Sequence, residues 1–421
     1  MGPILIFDKS TLESLNPDET VWLDQFFLVN ITPLFFVETL ADLEKEVKKG
    51  RTPEHVVGSL AYKTPDLDSC SNTHHGSLLA SELEGAGEVD MRFGRPIVSG
   101  GQTVELDGKM GVIYQPPPEA EALDRWRRGE FMDLERLFAK AWRQALSGIN
   151  FEQLYQSTQH NFRSGVKPKT LAEVKSLVDP MIDMPNQEQV LVLGLVSVGA
   201  SQRAQERVLT RWRAVGQPPV REFAPYFAHV LTVNLFVDLA IASDLISRER
   251  PSHTIDIAYL YYLPFCTVFT SNDHLHESIV PLFLKPHQSF VRGVDLKADL
   301  ARLDQLFSAL PEEVRKKGVY HFAAYPPPDS SFLATRLWDK HMSPTWRESE
   351  AKPKRVGNEK IDPEVLKGLS RLEKEGVPVD SSRRINSDDV DSMLMKRTVR
   401  ARKGKWMRFP PEVIEATRRE E

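Results

Sequence analysis

The chain has 421 residues, of which 41% are hydrophobic and 27% are charged, with a formal net charge of −5. This composition is ordinary for a globular protein with a hydrophobic core. The mildly acidic total argues against a protein that binds nucleic acid through its overall charge, so any such role must rest on a local basic patch.

Cysteine usage and hydropathy predict a soluble protein of the cytoplasm. Two cysteines, Cys70 and Cys266, argue against a disulfide framework and fit a reducing compartment. The first ten residues, MGPILIFDKS, lack the basic leader and long apolar core of a signal peptide. The longest apolar run, residues 223–246, contains several polar side chains, which predicts a buried core helix and no membrane span.

The N-terminal residues predict a strand that ends at an acid, followed by a second strand and a helix. Pro3–Phe7 is a continuous apolar run typical of a central parallel strand, and Asp8 follows its carboxyl end. A second apolar run covers Phe26–Asn30. Thr32 then has the character of a helix N-cap, and Pro33 suits the first position of the helix.

The helix predicted from Pro33 has an apolar stripe at helical spacing, formed by Phe36, Leu40, Leu43 and Val47. Glu38 and Asp42 lie on a common face of it, and like charges at this spacing repel unless a positive group lies nearby. Glu38 is also an acid within the apolar sequence LFFVETL, where it needs a partner. We assign it to a functional site with Asp42 in support; the alternative is a solvated carboxylate at the helix edge.

The middle of the chain has the character of an insertion. Residues 50–220 are expected to contain a β-hairpin near 103–114, with Asp107-Gly108 as its turn, and then to be mainly helical. This insertion would separate a first part of the main domain, residues 1–49, from a second part, residues 221–340. Residues 341–421 alternate charges and predict an extended or partly ordered tail.

Two further acids flank a strand predicted late in the chain. Asp256 opens a segment with helical spacing, Phe265–Phe269 has the pattern of a buried strand, and the apolar run ends at Ser271-Asn272-Asp273. Ligands of open α/β sheets bind beyond the carboxyl ends of the strands. We therefore expect Asp256 and Asp273 to join Asp8 and Glu38 in an oxygen-rich site, which suits Mg²⁺ or Mn²⁺.

These stretches resemble the PIN domain-like superfamily. ILIFDKS is similar to its first strand and Asp-x-Ser signature, FFVETLADLEK to its Glu-bearing helix, and TIDIAYLYYLP with CTVFTSNDHLH to its late helix and strand. The resemblance implies an α/β, three-layer fold with a central parallel sheet, interrupted here by a mostly helical insertion. It also implies cleavage of RNA by a water activated on Mg²⁺ or Mn²⁺, with Asp8, Glu38, Asp256 and Asp273 as metal-binding acids. Ser10 and Ser271 would be supporting hydroxyls.

The C-terminal segment 396–408, KRTVRARKGKWMR, is strongly basic and contains a tryptophan. Basic side chains neutralise phosphates and an aromatic ring can stack on a base. We therefore predict that it binds nucleic acid through Lys396, Arg397, Arg400, Arg402, Lys403, Lys405, Trp406 and Arg408. The alternatives are a solubilising tail and a segment that docks a protein partner.

Two other functions compete with the nuclease. A non-catalytic nucleic-acid-binding or scaffold protein would use the same acids in structural salt bridges. A phosphohydrolase of the haloacid-dehalogenase kind also begins with a strand ending in Asp, but its chemistry needs a second Asp two residues later, where this chain has Ser10. If the chain is a ribonuclease, we expect an inhibitor protein or homo-oligomerisation to restrain it.

Overall fold

A computed structural model shows an α/β fold built on a four-stranded parallel sheet. The structure describes residues 2–47, 50–65, 73–86, 89, 91, 101–114, 118–137, 167–247, 253–351, 368, 371–379 and 399–411. Its strands are β1 (Ile4–Phe7), β2 (Leu28–Asn30), β3 (Gly101–Leu106), β4 (Lys109–Tyr114), β5 (Val268–Ser271), β6 (Ser289–Arg292), β7 (Val377–Pro378), β8 (Arg402–Lys403) and β9 (Trp406–Met407).

The helices of the described residues come mostly in runs between the strands, the longest run lying between β4 and β5. They are α1 (Lys9–Ser14), α2 (Pro17–Phe26), α3 (Pro33–Val47), α4 (Pro53–Lys63), α5 (His75–Glu84), α6 (Pro118–Arg127), α7 (Leu171–Val178), α8 (Gln187–Ser197), α9 (Gln202–Ala214), α10 (Val220–Phe223), α11 (Pro225–Ala242), α12 (His253–Ala258), α13 (His274–Ile279), α14 (Gly293–Ser308), α15 (Glu312–Arg315), α16 (Val319–Phe322), α17 (Leu333–His341) and α18 (Thr345–Ala351). Short 3₁₀ turns cover Asp179–Asp183, Tyr259–Phe265 and Val280–Leu282.

The main sheet has the strand order β2-β1-β5-β6, with every neighbouring pair parallel. The predicted central strand at the start of the chain is confirmed, because β1 lies between β2 and β5. Phe7 pairs with Thr270, so the carboxyl ends of β1 and β5 reach the same edge of the sheet.

The sheet is the middle of three layers. Along β1, Ile4 and Ile6 contribute to one hydrophobic core while Leu5 and Phe7 contribute to the other, as the alternation of a strand requires. All four side chains are buried. Burial on both faces explains why the strand is a continuous apolar run.

The first core is organised around α11, which is the one helix in the described ranges long and apolar enough to cross a membrane. It is 78% buried inside the protein, in agreement with the prediction of a core helix. Glu82 of α5 caps its N-terminus: the backbone amides of Tyr226 and Phe227 donate to its two carboxylate oxygens at 3.0 and 2.8 Å.

The second core lies on the opposite face of the sheet, where Trp22 of α2 stacks on Phe307 of α14 with ring centroids 4.5 Å apart. Residues of the predicted insertion enter both cores. Val57 and Trp126 pack in the second core, and the helices that follow residue 170 pack in the first. The insertion therefore shares its hydrophobic cores with the sheet.

The predicted β-hairpin within residues 50–220 is confirmed by β3 and β4, which pair antiparallel with Leu106 opposite Lys109. Asp107 and Gly108 form its two-residue loop with φ of 51° and 74°. Positive φ at both positions is the requirement of a type I′ turn, which favours Asp-Gly. β7 adds a third antiparallel strand beside β3.

The basic C-terminal segment forms a second hairpin, β8 and β9, which we call the C-terminal hairpin (Arg402–Met407). The buried Lys403 ammonium donates to Asp24 of α2 at 2.9 Å and to backbone carbonyls of α4. Arg408, also buried, donates to the same Asp24 oxygen at 2.6 Å. One carboxylate therefore holds two buried cations.

Trp406 of the C-terminal hairpin also contacts α2, and it packs in the second core. Its ring meets Trp22 edge-on with centroids 4.8 Å apart, and its Nε1 donates to Asp304 at 2.7 Å. The prediction that this ring and the two cations face nucleic acid is therefore wrong for Lys403, Trp406 and Arg408, because their polar atoms are buried and paired with acids.

The other predicted nucleic-acid contacts of this segment have different surroundings. Lys405 is paired with Asp304, and Arg400 donates to the carbonyls of Tyr62 and Thr64. Arg402 is exposed. Lys396 and Arg397 lie outside the described residues.

Replacing Asp24 by alanine is expected to destabilise the protein by about 3 kcal/mol, since two buried cations would lose their shared carboxylate. The measurement is the free energy of unfolding in urea. A matched control is Glu312→Ala, which removes the exposed Glu312–Lys316 pair and is expected to have a much smaller effect, because surface ion pairs contribute little to stability. Equal effects of the two substitutions would contradict the role given to the C-terminal hairpin.

Candidate active site

The predicted acids gather at the carboxyl edge of the main sheet, with Asp8 at the centre. Asp8 follows β1 and caps α1, because its Oδ1 accepts the backbone amide of Thr11 at 2.9 Å. Its Oδ2 accepts two hydroxyls, from Ser10 and from Ser271, each at 2.7 Å. The structure thus places both predicted supporting hydroxyls on the first predicted acid.

His276 of α13 is a charged partner of Asp8 that the sequence did not reveal. Its Nε2 lies 2.7 Å from the backbone carbonyl oxygen of Asp256, which can only accept. Its Nδ1 lies 2.8 Å from the Ser271 oxygen, whose single proton is already donated to Asp8. With the Ser271 hydroxyl donating to Asp8, both ring nitrogens face acceptors, an arrangement that an imidazolium satisfies, and Nδ1 lies 3.8 Å from Asp8 Oδ2.

The pKa values of this pair agree with that assignment. Burial alone would raise the pKa of Asp8, but His276, Ser271 and Ser10 outweigh it and the net pKa is lowered. Burial alone would lower the pKa of His276, but the contact and charge of Asp8 outweigh it and the net pKa is raised. Asp8 is ionised, and its Oδ1 keeps one lone pair beyond the amide bond from Thr11.

Glu38 and Asp256 differ from Asp8, because the pKa of each is raised and not lowered. Burial, and then the charge of Asp8, raise the pKa of Glu38 to about 8, although Tyr259 donates to its Oε2 at 3.0 Å. Burial raises the pKa of Asp256 to about 7, with Asp273 and Asp8 adding to the rise and His276 opposing it. Each carboxyl group carries a proton over much of the neutral range unless a cation approaches.

Asp273 completes the set of four acids. It follows β5, caps α13 through the backbone amide of Leu275 at 2.6 Å, and its own amide donates to the Ser271 oxygen at 2.9 Å. Its charge contributes to the raised pKa of Asp256. Acids from four separate elements therefore influence one another at one edge of the sheet.

Lys9 is a second cation at this edge. Its ammonium donates to Asp42 at 2.9 Å and lies 3.7 Å from Glu13. Burial would lower the pKa of Lys9, but Asp42 and Glu13 outweigh it and the pKa is raised. Lys9, which follows Asp8 in sequence, thus relieves the expected repulsion between Glu38 and Asp42. Asp42 influences the site by holding the Lys9 ammonium in place.

The donor chemistry of the site suits a hard cation, although no finished coordination shell is present. Among the residues that the structure describes, no group of three or more His, Cys, Asp or Glu side chains is arranged to hold a metal ion. The available donors are an unused lone pair on Asp8 and the half-buried carboxyl groups of Glu38 and Asp256, whose pKa values are raised although Lys9 and His276 oppose the rise. Carboxylate oxygens of this kind are the ligands that Mg²⁺ and Mn²⁺ prefer.

Three residues of the site were missed by sequence reasoning, and each follows a predicted acid. Lys9 is adjacent to Asp8, while Tyr259 and His276 come three positions after Asp256 and Asp273. Three positions is close to one helical turn, so this spacing was the available signal. Ser10 donates to Asp8 and offers no second acid, which leaves the haloacid-dehalogenase reading without support.

Replacing Glu38 by glutamine is expected to stabilise the metal-free protein. The pKa of Glu38 in the folded state, about 8, lies above its ordinary value of 4.5, so the free energy of unfolding falls as pH rises between the two. Glutamine removes this penalty, and the gain should grow from pH 5 to pH 8 to roughly 1 to 3 kcal/mol. The measurement is the urea midpoint in EDTA at several pH values.

The matched control is Glu82→Gln, which changes a buried carboxylate that accepts two backbone amides at the start of α11. Here the charge is favourable to the helix N-terminus, so the substitution is expected to destabilise by about 1 kcal/mol. A loss of stability in Glu38→Gln at pH 8 would show that the Glu38 carboxyl group is already satisfied.

Comparison of the chain with models of known protein families, with curated proteins and with solved structures finds no match. The resemblance to PIN-like domains therefore stays a prediction from the sequence motifs.

Proposed function

We propose that the chain is a metal-dependent nuclease of PIN-like architecture that hydrolyses phosphodiester bonds in RNA. The observation that carries the proposal is the pair of half-buried carboxyl groups, Glu38 and Asp256, with pKa values raised to about 8 and 7 beside the ionised Asp8. Carboxyl groups with strongly raised pKa values at the carboxyl edge of a parallel sheet are typical of functional sites.

The order of the elements supports the PIN-like reading. A strand ending at Asp8, a helix bearing Glu38, a helix that includes Asp256 and a strand followed by Asp273 come in the order that the resemblance implies. RNA as the substrate is inferred from the same resemblance.

In this proposal Asp8, Glu38, Asp256 and Asp273 would hold Mg²⁺ or Mn²⁺. When bound, the ion supplies a water of lowered pKa and a positive charge that stabilises the reacting phosphate. Glu38 and Asp256 would hold the ion as carboxylates, because ligands of a metal must be deprotonated.

The remaining residues of the site orient Asp8 and supply positive charge for the substrate. Ser10, Ser271 and His276 keep Asp8 ionised, and the two hydroxyls fix its Oδ2. Arg292 ends β6 directly opposite Ser271 in the register of the sheet, and its side chain is 51% exposed. Its guanidinium, which has only a 3.4 Å contact with Glu277, is available to bind a phosphate of the substrate.

One observation favours a second function, a non-catalytic nucleic-acid-binding or scaffold protein. Asp8 already accepts three hydrogen bonds and Asp42 already pairs with Lys9, as structural acids do. This reading gives no role to the protonated carboxyl groups of Glu38 and Asp256, which is why we place it second.

The nuclease proposal predicts that the protein cleaves end-labelled single-stranded RNA in Mn²⁺ and that EDTA abolishes cleavage. Asp256→Asn removes a ligand and is expected to lower the rate by about 100-fold or more, since losing even an outer-shell partner costs 10- to 100-fold. The measurement is the single-turnover rate on RNA and on DNA of the same sequence.

The control for this assay is Asp238→Asn. Asp238 lies on α11, and burial alone raises its pKa to about 6, so it matches Asp256 in chemistry without contacting the site acids. Its rate is expected to equal that of the wild type. Wild-type protein that cleaves neither RNA nor DNA in Mn²⁺ would leave the scaffold reading in place.

A further inference from the structure

The start of α14 lies at the same edge of the sheet as the acids, because β6, which precedes it, ends with Arg292 opposite Ser271. α14 is a 16-residue helix that begins at Gly293, and its N-cap, Arg292, gives the first turn no side-chain hydrogen bond. The first amides of a helix have no partner within the helix and carry its positive end. They therefore present hydrogen-bond donors close to the proposed site.

Two buried oxygens converge on this helix start. A Cβ on Gly293 would lie 2.7 Å from Thr11 Oγ1 and 2.7 Å from Asn272 Oδ1, so only glycine leaves room for both side chains. Neither oxygen has a hydrogen-bond partner among the residues that the structure describes, and Thr11 is only 1% exposed. An unpaired buried hydroxyl costs free energy, so we expect it to have a partner that is absent from the free protein.

Thr11 connects this point to the proposed site. Its amide donates to Asp8 Oδ1 at 2.9 Å, while its hydroxyl oxygen faces Gly293. The backbone amide of Asn272 donates to the Ser10 oxygen at 3.2 Å. Both residues are therefore held between Asp8 with its hydroxyl partner and the start of α14.

The charges at this edge favour a separate place for an anion. A phosphodiester carries negative charge, which the acids of the site repel. Lys9 and His276 are engaged by acids of the site, whereas the side chain of Arg292 is 51% exposed. A helix N-terminus beside an arginine is a combination that binds phosphate groups in proteins.

We propose that the start of α14, together with Arg292, Thr11 and Asn272, is a subsite for a phosphate group of the nucleic acid. The inference rests on the proposed function, because it takes the phosphate to be part of the nuclease's substrate. The first-turn amides, the guanidinium and the Thr11 hydroxyl donate to the phosphate oxygens. Asn272, which is half-buried, turns its amide so that Nδ2 donates as well. A phosphate held there positions the strand against the acids around Asp8.

The test is the binding of inorganic phosphate and of a fluorescein-labelled single-stranded oligoribonucleotide to the full chain, both in EDTA to prevent metal-dependent cleavage. The wild type is expected to bind both, with phosphate competing against the oligonucleotide. Thr11→Val keeps the shape of the side chain and removes the hydroxyl, so we expect about 10-fold weaker binding of each ligand. The same substitution removes an unpaired buried group, so the urea midpoint of the ligand-free protein is expected to rise.

Tyr226→Phe is the matched control, because Tyr226 lies in the first core and its hydroxyl also lacks a partner in the described part of the chain. It is expected to bind both ligands as the wild type does. Wild-type protein that binds no phosphate, or Thr11→Val that binds the oligonucleotide with unchanged affinity, would overturn the inference and leave the nuclease proposal intact. Binding that weakens in Thr11→Val, in a protein that cleaves no nucleic acid in Mn²⁺, would support the subsite and overturn the proposed function.

Discussion

The parallel pairing of β1 with β5 is the constraint on which the candidate site depends. It joins two strands that are far apart in the sequence, and it brings the Ser271 hydroxyl within 2.7 Å of Asp8 across 263 positions of the chain. His276 bonds to the same Ser271 oxygen, so the imidazolium is positioned by this pairing as well. Without the register of β1 on β5, Asp8 would be an ordinary helix cap with one serine neighbour.

The fold buries carboxylates in two distinct ways. Glu82 and Asp299 each accept two backbone amides at the start of a helix, which satisfies the charge with fixed donors. Glu38 accepts the Tyr259 hydroxyl and a longer bond from the Lys9 amide on a single oxygen, and burial still raises the pKa of Glu38 and of Asp256. The same chain satisfies buried acids elsewhere with hydrogen-bond donors. The shortage of such donors for Glu38 and Asp256 is therefore a property of the site at the edge of the sheet, and such local exceptions are expected where a protein functions.

The sequence predicted correctly those elements that depend on residues close to one another in the chain. Pro3–Phe7, the helix from Pro33 and the Asp-Gly hairpin were all recognisable because periodicity and turn chemistry act over a few residues. The gathering of the acids was also predictable, since parallel strands present their carboxyl ends at one edge.

The missed features depend on partners that are remote in sequence. Lys403 was expected to face solvent because its partner, Asp24, is 379 positions away and no pattern connects the two. Periodicity likewise indicated which faces of the inserted helices are apolar but not that they share cores with the sheet. The imidazolium of His276 follows from three hydrogen bonds that exist only in the folded protein.

Because β1 pairs with β5, which comes much later in the sequence, the site cannot assemble on the ribosome until β5 has been synthesised. β1 leaves the ribosome first, yet its neighbour β5 begins at Val268, and the hairpin that packs on α2 follows at Arg402. At a synthesis rate of about 5 to 20 residues per second, Asp8 spends at least ten seconds or so without Ser271 and His276. A growing chain therefore carries separate acids and no assembled site until β5 and α13 have been synthesised, so the nuclease that we propose is absent from shorter nascent chains.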